Sequence, residues 1–225
     1  MCLVSTSHGT RRRPGRFPRA RTTAARRASY HHGDLREALV RAAVELVEEQ
    51  GPDGFTLREA ARKVGVTHTA PYRHFADRDA LLVAVAEEGF QGLHAAAMAR
   101  LSGLTDPRQR LQALGIAYVE YAVAHPSHFR VMHGGIADAC SDPAFVQAKA
   151  ATFGLLLEIV GACEAAGLIP AGSVPRYALS AWATVHGLAD LLMSGAADRM
   201  GLADGSVERI AREVTANVIS GLRTP

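Results

Sequence analysis

The stretch GVTHTAPYRHFADRDAL, residues Gly65–Leu81, concentrates hydrogen-bonding, aromatic and cationic side chains in one short segment. A core helix would not carry histidines, threonines and arginines together in this way. The residues on both sides of it have the apolar spacing of helices. The segment is therefore predicted to be a structured, exposed element that contacts another molecule.

Capping signals divide this region into two short helices. Thr56 and Glu59 form a T-x-x-E capping box that begins one short helix, the second of the chain, and Gly65 can take the left-handed conformation just after its end. The next short helix, the third of the chain, is predicted to have Thr67 as its N-cap and to run to about Phe75.

Two short helices joined by a Val-Gly-Val turn, behind a longer first helix, predict a helix-turn-helix. Ala60 and Ala61 are small enough for the two helices to cross closely. The third helix of the chain would present hydrogen-bonding groups, flat rings and a cation to solvent. Such groups suit phosphates and base edges in a major groove. These side chains are Thr67, His68, Thr69, Tyr72, Arg73 and His74. The alternative is that the two helices are an ordinary part of a bundle.

The rest of the chain also reads at helical period, without an alternating strand or a tandem repeat. Asp34 is predicted to cap the first helix and Asp77 to cap the fourth, a long one. The fold is therefore predicted to be all-α, with about nine helices. Its predicted parts are a basic arm over residues 1–29, a three-helix domain with the helix-turn-helix over 30–77 and a larger helical domain over 78–225.

The composition is that of a globular chain with a separate basic arm. Of 225 residues, 48% are hydrophobic and 21% charged, and the net charge is +3. Residues 1–30 hold eight arginines and no acid, whereas residues 31–225 hold 17 basic and 22 acidic residues. A basic arm on an acidic body indicates a polyanion as partner. An unstructured leader, or a start assigned too early, explains the arm equally well.

Cysteine usage and hydropathy place the chain inside the cell. Cys2, Cys140 and Cys163 are far apart and odd in number, so neither a disulfide framework nor a zinc site is indicated. The N-terminus has no apolar core of a signal peptide. The apolar stretch 177–197 contains His186 and an aspartate, which favours a buried helix over a membrane span. A cytoplasmic protein without membrane contact is expected.

The segment from Asp34 to about Ala86 resembles the DNA-binding domain of the TetR/AcrR family of bacterial transcriptional regulators. TLREAARKVGV (56–66), YRHF (72–75) and DRDALL (77–82) carry this resemblance. WATVHG (182–187) and HPSHFRVMHG (125–134) resemble the C-terminal domain of a subgroup named for its Trp-His-Gly motif. Together they imply a DNA-binding regulator, with repression as the family's commoner mode.

The resemblance also implies roles for single residues. The start of the recognition helix would read bases, and flanking residues would hold the backbone and the groove edge. The implied DNA-contacting residues are Thr56, Arg58, Thr67, His68, Thr69, Tyr72, Arg73, His74 and Arg78. For Tyr72 the alternative is partial burial, and for Arg78 it is a solvated first-turn position. Pro71 departs from the family pattern, because a leucine or isoleucine usually packs there.

One such module reads few base pairs, so a homodimer on a palindromic operator is expected. The last two helices, 174–195 and 206–222, are the predicted interface, with Ala181, Gly187, Ala189 and Gly195 allowing close packing. The alternative is that these helices are monomer core. By resemblance, a small-molecule effector binds the larger domain and shifts the fourth helix. The predicted lining is Tyr118, Tyr121, Phe129, Met132, His133, Phe153, Leu157, Trp182 and His186, which suits a moderately hydrophobic effector.

Two other classes compete with a regulator. An enzyme or metal sensor would use His125, His128 and His133 with Asp138 and Cys140, but the H-E-x-x-H, G-x-S-x-G and P-loop motifs are all missing. No enzyme activity, metal or cofactor is therefore predicted. A helical sensing module without specific DNA binding is the other alternative. The basic residues Arg58, Arg62, Lys63, Arg73 and Arg78 argue against it, because they cluster where DNA would lie.

Overall fold

The computed structural model describes residues 32–136 and 140–220, with side chains from Leu35 onward. The predicted arm over 1–29 and Asp138 lie outside the described residues. In chain order the helices are α1 His32–Gln50, α2 Leu57–Lys63, a 3₁₀ helix Ala70–Arg73, α3 Arg78–Leu101, α4 Pro107–Ala124, α5 Pro126–Met132, α6 Pro143–Ala165, α7 Val174–Met193, α8 Ala196–Arg199 and α9 Val207–Ser220. These ranges contain no strand, and the predicted all-α fold is confirmed.

The predicted caps of α2 and α3 are confirmed. Glu59 N donates to Thr56 Oγ1 at 3.3 Å and Thr56 N donates to Glu59 Oε2 at 2.9 Å, which completes the capping box. Gly65 has φ +74°, and Val66 N donates to Ala61 O, the pairing that closes a Schellman motif. Asp77 accepts from Ala80 N at 2.8 Å and caps α3. The turn between α2 and α3 is thus set by local hydrogen bonds.

The predicted third helix is wrong in length and in its cap. The structure has one 3₁₀ turn, its N-cap is Thr69, and no side chain caps it. Thr67 Oγ1 lies 3.3 Å from Thr69 Oγ1 instead of capping a helix. Pro71 explains the difference, because it has no N–H to donate and disfavours α conformation at Ala70. Pro71 is also buried, so its ring takes the place of the aliphatic anchor that the sequence lacks.

The predicted cap of α1 is wrong as well. Helix α1 already includes His32 and Asp34, so Asp34 lies within the helix rather than before it. The end of α1 follows the prediction, since Gly51 has φ +80° just past the last helical residue.

Helix α3 belongs to the core of both parts of the molecule. Phe55 and Phe75, which lie between the N-terminal helices, share a core cluster with Leu81 and Phe90 of α3. Helix α5 joins the same cluster through Met132. The two helices are close because α3 has a glycine there: a Cβ at residue 89 would lie 2.6 Å from the Met132 sulfur. A displacement of α3 or α5 therefore acts directly on the N-terminal helices.

Helices α4, α7 and α9 form the far side of the larger domain. They meet at Gly115 of α4, where a Cβ would lie 2.7 Å from Thr215 Cγ2 and 3.2 Å from Val185 Cγ1. Ion pairs from Arg100 to Glu120 and to Glu208, both at 2.6 Å, join the end of α3 to α4 and α9. The end of α3 remote from the helix-turn-helix is thereby held.

One described helix, α6, is long and apolar enough to cross a membrane by length and composition alone. The stretch 177–197, which the sequence singled out for its hydropathy, is not the one that meets this test. Phe145, Ile159 and Cys163 of α6 are buried against the other helices, and 28% of the apolar window of this helix is buried in all.

Candidate nucleic-acid interface and internal cavity

The segment from Thr67 to Phe75 has one polar, exposed face. Thr67, His68, Thr69 and Arg73 are exposed, and Tyr72 is 52% exposed. Pro71 and Phe75 point the other way, into the core. The two apolar anchors therefore hold a row of hydrogen-bonding and cationic side chains toward solvent.

Two cations near this face are available to a ligand. Arg58 and Arg73 are exposed and make no ion pair with any residue that the structure describes. Lys63, in contrast, contacts Glu49 at 2.7 Å and Glu45 at 2.9 Å. The hydrogen bonds to Glu49 and then Glu45 raise the pKa of Lys63 above its ordinary value. Lys63 thus joins α2 to α1 rather than facing outward unpaired.

Arg78 and Arg62 are also engaged by carboxylates. Arg78 is half-buried; its Nε donates to Asp79 Oδ1 at 3.0 Å, and its Nη2 lies 3.4 Å from Asp53 Oδ1. Arg62 lies 3.7 Å from Glu59. Because Asp53 precedes α2 and Asp79 is in α3, Arg78 links the two helices. Its guanidinium would have to leave these partners to reach a phosphate.

Thr56 and His74 flank the exposed face. Thr56 is exposed, but its hydroxyl is part of the capping box. His74 is half-buried, and its Nε2 has no hydrogen-bond partner among the described residues. Of the sequence-predicted DNA residues, Arg78 and Thr56 are therefore already engaged by groups within the protein.

An apolar cavity of about 60 Å³ lies between α3, α4, α6, α7 and α9. It is lined by Phe90, Leu93, Ala97, Leu111, Leu114, Gly115, Tyr118, His133, Thr152, Phe153, Leu155, Leu156, Ala181, Trp182, Val185, Thr215, Val218 and Ile219. Room of this size holds only a few waters in the present conformation. A larger ligand would have to move the helices apart.

A hydrogen-bonded cluster forms one end of the cavity around the Tyr118 hydroxyl. Trp182 Nε1 donates to it at 3.3 Å, while His186 Nδ1 lies at 2.9 Å and His133 Nε2 at 3.2 Å. Burial raises the pKa of Tyr118 above its ordinary value, with the Trp182 hydrogen bond opposing this. The hydroxyl therefore stays protonated and serves as a neutral donor and acceptor. We call these four residues the Tyr118 cluster.

The predicted ligand residues separate into three groups. Tyr118, His133, Phe153 and Trp182 line the cavity. Phe129 and His186 lie behind this wall, with ring centroids 5.2 Å apart.

The remaining three predicted ligand residues do not line the cavity. Met132 is core, buried against α3. Tyr121 stacks on His125 with centroids 4.4 Å apart, and burial raises the pKa of Tyr121 to about 12. Leu157 is 48% exposed on the outer side of α6.

Most of the aliphatic lining was not predicted. Leu93, Leu111, Leu114, Leu156 and Val218 have the same helical period as the core residues beside them. The helical spacing of apolar residues identifies which side of a helix faces the core. It does not show where two core-facing sides leave a cavity between them.

The histidines of the rival metal site do not converge. His125 and His128 have ring centroids 5.9 Å apart, whereas His133 lies in the Tyr118 cluster. In the described part of the chain no three His, Cys, Asp or Glu side chains are placed to hold a metal ion. Partial burial lowers the pKa of His125, repulsion from His128 adds to this, and Glu88 opposes it.

Family models match both halves of the chain. Residues 39–85 match the model of bacterial regulatory proteins of the tetR family, and residues 111–215 match the model of the tetracyclin repressor-like C-terminal domain. The chain belongs to the TetR family. Both matches leave out the first 38 residues, which include the arginine-rich arm.

Curated relatives of this TetR-family chain match over a short part of their length. The class C tetracycline repressor of Escherichia coli is 46% identical over 52 residues, 23% of this chain and 24% of the relative. The regulator BetI of Rhizobium meliloti (strain 1021) is 33% identical over 79 residues, 35% of this chain and 39% of the relative. The chain thus matches about a quarter of the tetracycline repressor and two fifths of BetI.

Solved structures match over most of the TetR-family chain. A protein of unknown function from Rhodococcus sp. RHA1 is 38% identical, with 88% of this chain and 100% of that chain covered and a TM-score of 0.72. The TetR family transcriptional regulator PfmR of Thermus thermophilus is 18% identical, with 83% and 99% covered and a TM-score of 0.66. At that identity the second likeness shows the fold alone.

Proposed function

We propose that this protein is a sequence-specific transcriptional regulator, a repressor that binds a palindromic DNA operator as a homodimer and is released by a small molecule. The observation that carries the proposal is the exposed polar face from Thr67 to Arg73, held on a turn whose other side is buried. Relatives that are named repressors support it. The protein works in the cytoplasm and catalyses no reaction.

The exposed face divides by chemistry into base-reading and backbone-holding residues. Thr67, His68 and Thr69 come directly before the 3₁₀ helix, and their hydroxyl and imidazole groups can form hydrogen bonds with base edges. Tyr72, His74, Arg73 and Arg58 suit the phosphate backbone and the groove edge. Thr56 is exposed at the start of α2, where its backbone and side chain can contact a phosphate. Arg78 acts by joining Asp53 to α3, unless DNA displaces its carboxylate partners.

We assign dimerisation to α7 and α9, where Gly187 is exposed as the close-packing prediction requires, whereas Ala181 and Ala189 are not. Ala181 and Ala189 are buried within the monomer, and Gly195 has φ +66° at the start of α8. Leu179, Ala183, Gly187 and Leu191 are exposed at a four-residue spacing on α7. This row, which we call the α7 stripe, lets a second copy approach closely.

Release follows from the position of the cavity. A ligand between α3 and α6 pushes on Phe90 and Leu93, which belong to the same core cluster as the N-terminal helices. In a dimer this changes the ~34 Å spacing of the two recognition turns that one DNA turn requires. Ligand and DNA must then weaken each other's binding by the same factor. Trp182, His186 and Gly187 also support membership of the Trp-His-Gly subgroup.

Selection from a random duplex pool tests the DNA-binding proposal. The protein should enrich a palindromic sequence, and fluorescence anisotropy at fixed salt should show preference for that sequence over unrelated duplex. Tyr72→Ala should abolish the preference, and Arg73→Ala should reduce the salt slope by about one. Arg108, an exposed arginine at the remote end of the molecule, supplies the control, since Arg108→Ala should change neither.

If the selection enriches no duplex sequence, the proposal of sequence-specific DNA binding is wrong. The chain would then be a helical sensing module without specific DNA binding, the alternative that the sequence left open. Equal loss of binding in Arg73→Ala and Arg108→Ala would point to non-specific attraction of a polyanion.

A further inference from the structure

The cavity is a slot that runs along α3 and α4. The two helices are antiparallel, because Gly92 of α3 faces Tyr121 near the end of α4. The slot extends from Phe90 to Ala97 on α3, about 10 Å at the helical rise. Its first end carries the Tyr118 cluster, and its other end lies by Val218 of α9. The two ends therefore differ in polarity.

The described lining contains no Asp, Glu, Lys or Arg. Its two threonine hydroxyls donate to backbone carbonyls: Thr152 lies 3.0 Å from Ala148 O and 3.2 Å from Phe90 O, and Thr215 donates to Ala211 O at 2.7 Å. Beyond the Tyr118 cluster the walls are therefore almost entirely hydrocarbon and offer no free donor. A charged group there would lose its hydration without gaining a counter-charge, which costs several kcal/mol.

The Tyr118 cluster can take one more oxygen. A phenol hydroxyl donates once and accepts twice, and here three ring nitrogens surround it. The hydrogen bond from Trp182 Nε1 is the longest of the three, at 3.3 Å. An alcohol or ketone oxygen placed at this end can accept the indole N–H in place of Tyr118 and leave the remaining contacts intact.

Size adds a further restriction. About 60 Å³ has room for roughly four to six waters, and so for a chain of about as many heavy atoms. Gly115 of α4 lies against Thr215 and Val185, which leaves no room for widening on that side without moving α9. A slender chain fits this slot, whereas a fused ring system would have to force the helices apart.

We infer that the effector is an uncharged, slender, apolar molecule with one terminal hydrogen-bonding oxygen, an alcohol or a ketone. Its oxygen lies in the Tyr118 cluster and its chain extends toward Val218. The inference rests on the proposed function only in calling this ligand an effector. Occupancy of the slot is measured without DNA.

Trp182 reports directly on occupancy, since it is the chain's single tryptophan and lies in the cavity wall. Its fluorescence is titrated with 1-pentanol, pentanoate and pentylammonium, which share a chain that the slot has room for and differ in head charge. We expect pentanol to bind at least tenfold more tightly than either ion. From ethanol to pentanol, affinity should rise about fourfold per methylene, and longer alcohols should gain less because the slot is full. Equal or tighter binding of pentanoate or pentylammonium overturns the inference.

Two variants locate the ligand in the slot. Tyr118→Phe removes the hydroxyl that competes for the Trp182 N–H and should tighten pentanol binding about fivefold, the gain of about one hydrogen bond. Ala97→Leu narrows the apolar end and should move the tightest alcohol to a shorter chain. Tyr177→Phe is the matched control, since Tyr177 lies outside the lining, and it should bind pentanol as the parent does. Chain-length preference unchanged in Ala97→Leu overturns the placement, even if Tyr118→Phe does not fold.

The two proposals fail separately. If no probe changes Trp182 fluorescence while the duplex selection yields a palindrome, this inference is wrong and the DNA-binding proposal stands. If pentanol binds as expected and no duplex is enriched, this inference stands and the DNA-binding proposal is wrong.

Discussion

Tyr118 makes three side-chain hydrogen bonds at the polar end of the cavity. Its hydroxyl joins α4 to the end of α5 through His133 and to α7 through Trp182 and His186. Its ring packs edge-on against Phe129, with centroids 5.7 Å apart. One atom thus holds three helices at the polar end of the cavity.

Removing this hydroxyl should destabilise the fold. Tyr118→Phe leaves the Trp182 N–H and His186 Nδ1 without their partner, and buried unsatisfied groups cost about 1–3 kcal/mol each. Because both groups are only part-buried, water offsets some of this cost, and we expect a total loss of about 1–3 kcal/mol in the free energy of unfolding, measured by urea denaturation. Tyr177→Phe removes a hydroxyl outside the cluster and should change stability by less than about 0.5 kcal/mol. Equal losses would show that the cluster adds nothing.

The 3₁₀ helix is the element that sets the proposed DNA contacts. Its shortness follows from Pro71, and its orientation follows from the glycine turn before it. Gly65 has φ +74° and open space where a Cβ would be, so its role is conformational rather than steric. The position of the exposed residues Thr67 to Arg73 relative to α2 depends on the backbone conformation of Gly65.

Substitution at Gly65 separates backbone conformation from packing. Gly65→Ala should cost about 1–2 kcal/mol, the penalty of a Cβ in the left-handed region, and should weaken DNA binding. Gly65→Asn should recover part of both, because asparagine tolerates this region. Gly154 of α6 is also unobstructed but helical, so Gly154→Ala should stabilise by up to about 1 kcal/mol. Thermal and urea unfolding measure all three, and a neutral Gly65→Ala would contradict the argument.

At the scale of the whole molecule, α3 connects the cavity to the N-terminal helices. Phe90 lines the cavity and also belongs to the cluster that contains Phe75. The other end of α3 is held by the ion pairs of Arg100. A ligand therefore displaces the half of α3 that carries the helix-turn-helix.

The dimer proposal makes a prediction at this scale. Leu191, in the α7 stripe, is 46% exposed, and Leu157 of α6 is 48% exposed. Leu191→Asp places a charge in the proposed interface and should shift the protein to monomer in analytical ultracentrifugation, because a desolvated unpaired charge is costly. Leu157→Asp is the matched control and should leave the dimer intact. Dissociation by Leu157→Asp alone would move the interface to α6.

The all-α fold, the helix-turn-helix and the helix ends at Thr56, Gly65 and Asp77 could all be predicted from the amino-acid sequence. These features depend on hydrogen bonds and backbone angles within about one helical turn, so nearby residues suffice to predict them. Two local features differ from the prediction: Pro71 shortens the third helix to one 3₁₀ turn, and α1 begins before Asp34.

The pairing of the cations and the lining of the cavity follow instead from how the helices pack together. Arg78 meets Asp53 and Lys63 meets Glu45 because separate helices come together, which no local pattern contains. Leu157 and Leu156 are adjacent in sequence, yet only Leu156 faces the cavity. A cavity is the space left between five helices, and its existence depends on their relative positions rather than on the period of any one of them.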